Sequence, residues 1–505
     1  MITGIKQSGG IRLDAVPELL GDCRVTGNLK GECVGVTYDS RTVNQGVIFA
    51  ALEGLQTTGE SFVKEAVKRG AVAVLGHGLS MKGRQVPYLE VPDPRRSMAQ
   101  IACALNGNPS RHLKVVGITG TNGKTTVSFL VRDILRAAGC RPGLVGTLRY
   151  EIGDRKIPAR RTTPEAPDLQ QLLYEMLRAQ CDSVSMEVSS HALDQYRVDG
   201  VDFDVAVFTN LSHDHLDYHR SMDAYFEKKA LLFQTSAYAG PHTTRVINLD
   251  DPWGRKLALR GGSRGNLITY GKCPEARVRA ESIEMDLHGT QFMAHTPWGT
   301  GKINLNLLGL FNLQNALAAL AAGGALGIEF PVLVHALQQA EAVPGRLETI
   351  PNAQRIDVFV DYAHTEDALD KVLGTLREMT DGNLICVFGC GGDRDHMKRP
   401  RMGEVAARHA DFLVLTSDNP RSEDPDAILR EIMPGCRAAR EVRSIVDRKE
   451  AIAEALGLAR PGDTVLIAGK GHETVQEIGE ERVPFDDREF ARELLDEMDR
   501  KQRGF

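Results

Sequence analysis

The sequence predicts an α/β protein of several domains whose sheets are mostly parallel, and three observations support this. Short apolar runs rich in β-branched residues alternate with helical periodicity along the whole chain. Several of these runs end in Gly, Asn, Asp or Ser, where α/β folds place their ligand-binding loops. The length of 505 residues also exceeds what one hydrophobic core normally serves.

The strands are predicted from continuous apolar runs, which are typical of strands buried on both faces. In chain order these runs are 114–118, 183–188, 205–209, 245–248, 384–388, 412–415 and 464–467. A long helix is predicted over 312–328, and a further strand near 357–360. Two joints rich in Gly, Pro and polar residues, at 106–111 and 343–346, divide the chain into domains of 1–110, 111–342 and 343–505.

Charge and composition exclude several classes of protein. The 61 Lys and Arg residues against 67 Asp and Glu give a formal charge of −6, so no basic field for nucleic acid or a membrane surface is expected. The start, MITGIKQSGG, lacks the pattern of a secretory leader, and the most apolar stretch, 316–328, is too short to span a bilayer. Nine scattered cysteines form no C-x-x-C pair. We therefore expect a cytoplasmic protein.

The most informative stretch is GITGTNGKTTVSFL, residues 117–130. A strand that ends at Ile118, a glycine-rich turn and a helix opened by Lys124 form a P-loop arrangement, in which backbone N–H groups and the helix N-terminus face phosphates. Lys124 suits the β- and γ-phosphates, and the Thr125 hydroxyl suits Mg²⁺. The glycines at 117, 120 and 123 depart from the commonest spacing. The loop predicts nucleotide binding without fixing the reaction.

Two polar clusters follow the next apolar runs. They are MEVSSH at 186–191 and TNLSHDHLD at 209–217. A carboxylate and an imidazole beside a P-loop can hold a divalent metal next to the γ-phosphate, although each alone is often a structural group. Zinc at His213, His215 and His219 is disfavoured because no fourth ligand accompanies them.

Taken together, the motifs of the sequence resemble those of a known protein family. The motifs GTNGKTT, MEVSSHALDQYRV, TNLSHDHLDYH, LGLFNLQNALAA, PGRLE and DYAHTEDAL, in this order, are similar to those of the Mur ligases of bacterial cell-wall synthesis. The similarity covers essentially the whole chain, and the unusual glycine spacing is the family's own. It implies an N-terminal UDP-sugar-binding domain, a central P-loop-type ATPase domain and a C-terminal Rossmann-like domain that binds the incoming amino acid.

The resemblance also implies a reaction. Mur ligases phosphorylate a substrate carboxylate with ATP and Mg²⁺, and an amine then attacks the acyl phosphate. YDSRTV at 38–43 together with DNPR at 418–421 is most similar to the branch that adds the third residue of the stem peptide. The implied substrates are ATP, UDP-N-acetylmuramoyl-L-Ala-D-Glu and meso-2,6-diaminopimelate, used by a monomer in peptidoglycan precursor synthesis.

Residues that match the family motifs are expected to bind ATP and metal. For ATP they are Gly120, Thr121, Asn122, Gly123, Lys124, Thr125, Thr126, Asn312, Arg346 and Asp361. The implied metal neighbours are Thr125, Glu187 and His215, joined by Lys229 as a carbamate, and the implied catalytic set is Lys124, Glu187, His215 and Lys229. The adjacent Lys228 leaves the register of the modified lysine open; Lys229 is chosen by its distance from Arg197.

The other two substrates are assigned in the same way. For the UDP-muramoyl dipeptide the implied contacts are Ser40, Leu55, Gln56, Thr57, Thr162, Thr163, Ser189, Gln195 and Arg197. For diaminopimelate they are Arg394, Asp418, Asn419, Pro420, Arg421, Gly469 and Glu473. A guanidinium pairs with the distal carboxylate that distinguishes diaminopimelate from lysine. With lysine, Arg421 would be left unpaired, which predicts discrimination against lysine.

Three alternatives remain at this stage. The first is a ligase of the same chemistry, either a lysine-adding Mur ligase or a folylpolyglutamate synthase-like enzyme, although the YDSRTV start and the DNPR motif count against the folate enzyme. The second is a P-loop switch protein, which would have no reason to carry an amino-acid pocket. The third is an inactive nucleotide-binding scaffold, which the intact set of Lys124, Glu187 and His215 argues against.

Overall fold

A computed structural model describes residues 10–54, 58–80, 85–234, 238–260 and 266–502. The predicted α/β class is confirmed, because strands and helices alternate and the larger sheets are mostly parallel. The chain divides into two compact units, one formed by Met1–Ala276 with Ala318–Leu333 and the other by Arg277–Leu317 with Val334–Phe505.

The first unit begins with a five-stranded sheet. Its elements are β1 (Ile11–Arg12), α1 (Val16–Leu20), β2 (Arg24–Thr26), β3 (Glu32–Cys33), β4 (Gly35–Thr37), β5 (Val47–Ala50), α2 (Val63–Lys68), β6 (Ala71–Gly76), β7 (Tyr88–Glu90) and α3 (Pro94–Leu105). The strand order is β2-β7-β6-β5-β4, and β1 pairs with β3 separately. Strands β4 to β7 are parallel and β2 is antiparallel. Apolar clusters cover both faces of the sheet, as a mainly parallel sheet requires.

The second part of this unit is built on a larger sheet. Its strands are β8 (Lys114–Thr119), β9 (Pro142–Val145), β10 (Arg149–Ile152), β11 (Arg155–Pro158), β12 (Ser183–Glu187), β13 (Val205–Phe208), β14 (Thr244–Asn248) and β15 (Leu267–Gly271). They are ordered β11-β10-β9-β12-β8-β13-β14-β15. Strand β10 runs antiparallel to both of its neighbours, β9 and β11, and the other described pairings among these strands are parallel. Strand β8, which feeds the glycine loop, therefore lies between β12 and β13, whose ends carry the two polar clusters.

Helices surround this sheet. They are α4 (Lys124–Ala137), α5 (Ala166–Arg178), α6 (Ser190–Asp194), α7 (Leu216–His219), α8 (Met222–Ala230) and α9 (Pro252–Leu259). In α5 the apolar residues recur at helical spacing, so Leu169, Leu172, Leu173 and Met176 all point into the core. Each such buried side chain contributes about 1.5–3 kcal/mol relative to an exposed one, so this face holds α5 on the sheet.

The second unit starts with an antiparallel meander of β16 (Val278–Asp286), β17 (Gly289–Thr296) and β18 (Gly299–Leu305). Two helices follow, α10 (Leu310–Ala325) and α11 (Phe330–Gln338), and each passes from one unit into the other. The helix predicted over 312–328 is confirmed as α10. It starts just after Gly309 and stops short of Gly327, and both glycines have positive φ angles.

A six-stranded sheet forms the rest of the second unit. Its strands are β19 (Glu348–Thr349), β20 (Asp357–Asp361), β21 (Leu384–Phe388), β22 (Phe412–Leu415), β23 (Glu441–Ser444) and β24 (Thr464–Ala468), in the order β19-β20-β24-β21-β22-β23. The other elements are the hairpin of β25 (Val475–Ile478) and β26 (Glu481–Pro484), and the helices α12 (Glu366–Met379), α13 (Lys398–His409), α14 (Pro425–Ile432), α15 (Arg448–Leu458) and α16 (Asp487–Gln502).

The strand order draws attention to the carboxyl edge of this sheet. Strand β24 is inserted between β20 and β21, so the chain order reverses there. Open α/β sheets bind ligands outside the carboxyl ends of their strands at such a reversal. Residues 389–394, 416–421 and 469–473 follow β21, β22 and β24, so the predicted amino-acid site falls on loops at this edge.

None of the helices within the described ranges combines the length and apolar character needed to cross a membrane.

Candidate active site

The glycine loop spans the four residues between β8 and α4. Gly120 has a φ of 152° and Gly123 a φ of 85°. A Cβ on Gly120 would lie 1.8 Å from the Thr209 hydroxyl oxygen, so a side chain cannot fit. The two residues that follow β13 hold the loop by hydrogen bonds. Thr209 Oγ1 donates to the Asn122 carbonyl at 2.6 Å, and the Thr121 N–H donates to the Asn210 carbonyl at 2.8 Å. The loop is thus shaped before any ligand binds.

Two lysines converge on one carbonyl of this loop. Lys124 Nζ donates to the carbonyls of Gly120 at 2.9 Å and Thr121 at 2.8 Å. Lys229 Nζ, from α8, donates to the same Gly120 carbonyl at 2.8 Å. Two amines around a glycine turn that opens a helix make a strongly anion-attracting site, which suits a polyphosphate.

The buried carboxylate beside the loop is Glu187, at the end of β12. Its Oε2 accepts hydrogen bonds from the hydroxyls of Thr125 and Thr147, each at 3.0 Å. Its Oε1 accepts one from the Thr147 N–H at 2.8 Å. The Glu187 carboxylate is completely buried, and these hydrogen bonds offset the free-energy cost of removing it from water. The structure therefore brings together Thr125 and Glu187, two of the predicted metal neighbours.

The lysine pair of α8 is divided between two environments. Lys228 lies at the surface and pairs with Asp194 at 2.6 Å. Lys229 is 1% exposed, and its Nζ lies 4.5 Å from the centre of the Tyr225 ring. Burial and the nearby Lys124 lower the pKa of Lys229 well below its usual value. A buried lysine with a depressed pKa is a reactive amine, whereas Lys228 is an ordinary surface cation.

His215 belongs to a cluster of rings. It precedes α7 with a φ of 53°, and its ring centre lies 5.0 Å from that of His191 and 6.2 Å from that of Tyr225. His219 stacks on Tyr225 at 4.9 Å and lies 2.9 Å from Ser190 Oγ. Burial, with a smaller contribution from Lys229, lowers the pKa of His219 to about 4. In the described part of the chain, no three His, Cys, Asp or Glu side chains group closely enough to hold a metal ion by themselves.

The residues predicted to contact the muramoyl dipeptide in the central region lie together. Thr163 Oγ1 donates to the Glu187 carbonyl at 2.8 Å and accepts from the Ser189 N–H at 3.1 Å. Arg197 donates to the Thr163 carbonyl at 3.1 Å and to Gln195 at 2.7 Å. Thr162 Oγ1 lies 3.0 Å from the Thr147 hydroxyl. The group therefore connects directly to the Glu187 site.

Two expectations for this substrate need qualification. Arg197 was expected to pair with a substrate anion, but its buried guanidinium already pairs with Glu165 at 3.0 Å, a partner that the sequence did not indicate. Ser40 is buried in the N-terminal sheet region, where its hydroxyl lies 3.4 Å from Glu65. The predicted contacts Leu55, Gln56 and Thr57 lie outside the described residues.

In the second unit, the three remaining residues of the predicted ATP set are held by their own surroundings. Asn312 Nδ2 donates to the Leu308 carbonyl at 2.9 Å. Asp361 accepts from the N–H groups of Leu347 at 2.6 Å and Ala363 at 2.7 Å, and burial raises its pKa despite the opposing charge of Arg346. The Arg346 guanidinium lies over the Tyr362 ring at 4.7 Å.

The DNPR loop is fixed to its neighbours by side chains and backbone. The Asn419 amide donates to Glu473 at 2.8 Å, and Lys470 Nζ donates to both Asn419 Oδ1 at 3.0 Å and Glu473 at 2.9 Å. Gly469 has a φ of 111°, and a Cβ there would lie 2.6 Å from the Asp418 carboxylate. Asp418, Asn419 and Pro420 are buried. The structure therefore places Asn419 against Glu473, and Gly469 against Asp418.

Arg421 departs from its prediction. We expected it to be unpaired without a substrate carboxylate, but its Nε donates to Glu477 at 3.0 Å and one terminal nitrogen donates to the Gly392 carbonyl at 2.8 Å. Its backbone pairs with β25, because its N–H donates to the Glu477 carbonyl at 3.0 Å. Arg394 is exposed, and its guanidinium donates to the backbone carbonyl of Asp393 at 3.1 Å. Arg421 therefore keeps Glu477 as a partner when no substrate carboxylate is bound.

Sequence reasoning missed several residues of the site. Thr147 follows the short strand β9, and its position after LVG was a strand-end signal of the same kind as Glu187. Lys470 stands inside GKGHE, next to the predicted Glu473, but nothing in its pattern indicated full burial. Glu165 and Glu477 carried no signal, because only the fold brings them to Arg197 and Arg421.

Three models of known protein families match this chain. Residues 32–105 match the sequence model described as "Mur ligase family, catalytic domain". Residues 118–323 match the "Mur ligase middle domain", and residues 345–471 match the "Mur ligase, glutamate ligase domain". The three matches follow the order of the three predicted domains, whose exact boundaries remain a prediction.

The chain is similar to proteins named UDP-N-acetylmuramoyl-L-alanyl-D-glutamate–2,6-diaminopimelate ligase. It is 44% identical to that of Geobacter metallireducens, over 98% of this chain and 100% of the relative. It is 46% identical to that of Geobacillus thermodenitrificans, over 92% and 95%. A solved structure of a ligase with this name is 35% identical and covers 97% of this chain and all of its own, with a TM-score of 0.70. By these matches over nearly its full length, the chain belongs to the Mur ligase family.

Proposed function

We propose that this chain is an ATP-dependent ligase that joins meso-2,6-diaminopimelate to the D-Glu carboxylate of UDP-N-acetylmuramoyl-L-Ala-D-Glu, a step of peptidoglycan precursor synthesis. The names of the relatives support this assignment. The observation that carries it is the contact of the predicted muramoyl-dipeptide residues with the nucleotide site, through Thr163 on the Glu187 carbonyl and Thr162 on Thr147. An acid substrate bound there lies beside the nucleotide.

The chemistry follows from the weakness of a carboxylate as an electrophile. Transfer of the γ-phosphoryl group of ATP to a carboxylate oxygen releases ADP and gives an acyl phosphate with a good leaving group. The neutral amine of the amino acid then adds to the carbonyl carbon, and the tetrahedral intermediate expels phosphate and loses a proton to leave an amide. Lys124 and the loop N–H groups stabilise the negative charge on the phosphoryl oxygens.

The residues present fit Mg²⁺, a hard cation that prefers oxygen ligands. Glu187 supplies a buried carboxylate, and the Thr125 hydroxyl lies 3.0 Å from it. His215 belongs to the neighbouring ring cluster, and Lys229 would add an oxygen ligand as a carbamate. Bound Mg²⁺ would neutralise charge on the transferring phosphoryl group. In this chain, the hydrogen bonds from Thr147 orient the Glu187 carboxylate for that purpose.

The amino-acid specificity is assigned to the loops at the carboxyl edge of the second unit's six-stranded sheet. Arg421 would receive the distal carboxylate of diaminopimelate, and Glu473 its distal ammonium. The pairing of Arg421 with Glu477 means that the ligand would share the guanidinium instead of meeting an unpaired one. We further propose that the enzyme acts as a monomer in the cytoplasm, where ATP is available.

The test is release of phosphate from ATP with UDP-N-acetylmuramoyl-L-Ala-D-Glu, with meso-diaminopimelate compared with L-lysine. Turnover with diaminopimelate alone is expected. Turnover with lysine alone would keep the ligase but reject the role of the DNPR loop. Absence of turnover with both amino acids would reject the proposed reaction.

A further inference from the structure

Lys470 is a fully buried cation at the amino-acid site that none of the roles above uses. It follows β24 between two glycines of positive φ, Gly469 at 111° and Gly471 at 51°. Its side chain has no exposed surface. Burial of an ammonium is costly unless a counter-charge and hydrogen bonds offset the loss of water, so the placement of Lys470 needs a reason.

The contacts of Lys470 account for all of its donors. Its Nζ donates to Asn419 Oδ1 at 3.0 Å, to Glu473 Oε2 at 2.9 Å and to the Val475 carbonyl at 2.7 Å. An ammonium has three N–H groups, so none remains for a ligand. Lys470 is therefore placed to hold other groups and not to touch a substrate.

Two of these contacts fix the orientation of pocket side chains. Because Lys470 and the Glu477 N–H at 3.0 Å both donate to Asn419 Oδ1, the amide nitrogen of Asn419 must face the other way. That nitrogen donates to Glu473 Oε2 at 2.8 Å. Lys470, Asn419 and Glu473 thus form a closed triangle in which each side chain orients the other two.

The triangle leaves one carboxylate oxygen available. Both hydrogen bonds received by Glu473 fall on Oε2, and across the described ranges no donor reaches Oε1. The Glu473 side chain is 28% exposed, so this oxygen is open to a ligand. Burial alone would raise the pKa of Glu473, but the Lys470 ammonium and the Asn419 amide outweigh it and hold that pKa below its usual value. The open oxygen therefore carries negative charge at neutral pH.

We propose that Lys470 is a positioning residue for the amino-acid substrate: it holds Asn419 and Glu473 in one orientation, so that Glu473 Oε1 presents a fixed acceptor to a substrate ammonium. This inference rests on the proposed function, which assigns Glu473 to the amino acid. Selectivity for a substrate with an ammonium on its side chain would then depend on Lys470, a residue that does not contact the substrate.

The test is a double-mutant cycle in the full-length enzyme with Lys470→Met, Glu473→Gln and the double variant. Lys470→Met is expected to raise the KM for diaminopimelate roughly ten- to a hundred-fold, the range for loss of a hydrogen bond to a charged group. The KM for ATP should stay within about two-fold, which a general loss of structure would not allow. The exposed Lys449→Met is the matched control and should change neither KM.

The double variant separates positioning from an independent effect. Because Lys470 acts through Glu473, the double variant's KM should fall well short of the product of the two single effects. Multiplied effects, or an unchanged KM in Lys470→Met, would overturn the inference. If Lys470→Met does not fold, Lys470→Arg replaces it, because a planar guanidinium cannot direct three donors to the same three acceptors. An unchanged KM for diaminopimelate in Lys470→Arg would also overturn the inference.

The single Glu473→Gln variant distinguishes failure of this inference from failure of the proposed function. If its KM for diaminopimelate is unchanged, the pocket itself is wrongly assigned. If that KM rises while Lys470→Met has no effect, only the role of Lys470 is rejected.

Discussion

Lys124 and Lys229 donate hydrogen bonds to the same carbonyl, that of Gly120. Lys229 is buried, and the loss of water lowers its pKa; repulsion between the two neighbouring ammonium groups lowers that pKa further. For the neighbouring Lys228, the hydrogen bond to Asp194 and the charge of that carboxylate outweigh partial burial and raise the pKa. The sequence left the register of the KK pair open, with Lys229 chosen by its distance from Arg197, and the packing of α8 separates the buried amine from the more exposed one.

Replacement of these two lysines should therefore give opposite results. Lys229→Ala is expected to lower kcat by about a hundred-fold or more, as loss of a group that stabilises charge in the transition state does. If Lys229 acts as a carbamate, added short carboxylic acids should restore part of the activity. Lys228→Ala, the matched control, should keep nearly full turnover. Equal losses in both variants, measured as phosphate release, would contradict the assignment.

Lys124 provides a second comparison at the residue scale. Lys124→Ala should abolish turnover by removing charge from the phosphate site, while its circular dichroism spectrum stays that of the parent. Lys114→Ala changes a lysine at the opposite end of the preceding strand, where the side chain is 68% exposed and pairs with Asp204. Activity in the Lys124 variant similar to that of the Lys114 variant would remove Lys124 from the mechanism.

Arg421 and Arg482 both pair with Glu477, at 3.0 and 3.4 Å, but only Arg421 lies in the DNPR loop. Arg421→Ala should raise the KM for diaminopimelate roughly ten-fold, at the low end of the range for a charged hydrogen bond because Glu477 already neutralises part of the guanidinium. The KM for ATP should stay unchanged in the same variant. Arg482→Ala, at a side chain that is 70% exposed, should leave both values unchanged. Steady-state kinetics with each substrate varied in turn decide the matter.

At the scale of elements, the nucleotide loop depends on its neighbour β13 as much as on its own glycines. Gly120→Ala places a methyl group against Thr209 Oγ1, so the loop must move and ADP should bind about ten-fold more weakly or worse. Gly139→Ala is a matched control, since Gly139 also has a positive φ, 82°, but meets nothing within 4 Å. Titration of each variant with a fluorescent ADP analogue measures the difference. Comparable affinities would show that the loop tolerates a side chain.

The strands that the sequence predicted well share one property. Strands β21 and β22 agree with the predicted 384–388 and 412–415, and both are apolar runs buried on two faces of a parallel sheet. The meander β16–β18 was not predicted, because its strands alternate buried and exposed residues and contain no continuous apolar run. Prediction therefore succeeded where burial leaves a mark along the chain.

The site followed a similar rule. Strand-end residues such as Glu187 and loop residues such as Lys124 were predictable because motif and position coincide. The burial of Lys470 and the role of Glu477 were not, because their partners lie far away in the sequence: 51 residues separate Lys470 from Asn419, and 56 separate Glu477 from Arg421. Such partners are set by strand order, which a single sequence does not record.

For the molecule as a whole, the residues assigned to the proposed reaction are divided between the two compact units. The phosphate loop, Glu187 and Lys229 belong to the first unit, whereas Arg346, Asp361 and the DNPR loop belong to the second. The matches to the family fall at 32–105, 118–323 and 345–471, so the two predicted joints, 106–111 and 343–346, lie at or near the gaps between them.

His219 should lower the stability of the folded protein at acid pH. Its pKa is lowered to about 4 in the folded protein, mainly by burial, whereas an unfolded histidine titrates near pH 6.5. Between these values the unfolded chain binds more protons, so the free energy of unfolding falls as the pH drops from about 6.5 to 4. His219→Gln should show a smaller decrease in Tm between pH 7.5 and 5.0 than the parent, and the exposed His242→Gln should not. An unchanged decrease in His219→Gln would contradict this.

The burial of Lys229 has a practical consequence. A carbamate forms when an unprotonated amine adds to dissolved carbon dioxide, and it reverts when the gas is removed. If the amine held against Gly120 is so modified, the active fraction of a preparation depends on the atmosphere above it. Two samples of identical sequence, one kept in degassed buffer and one equilibrated with bicarbonate, would then differ in activity, and the composition of the air would belong among the assay conditions.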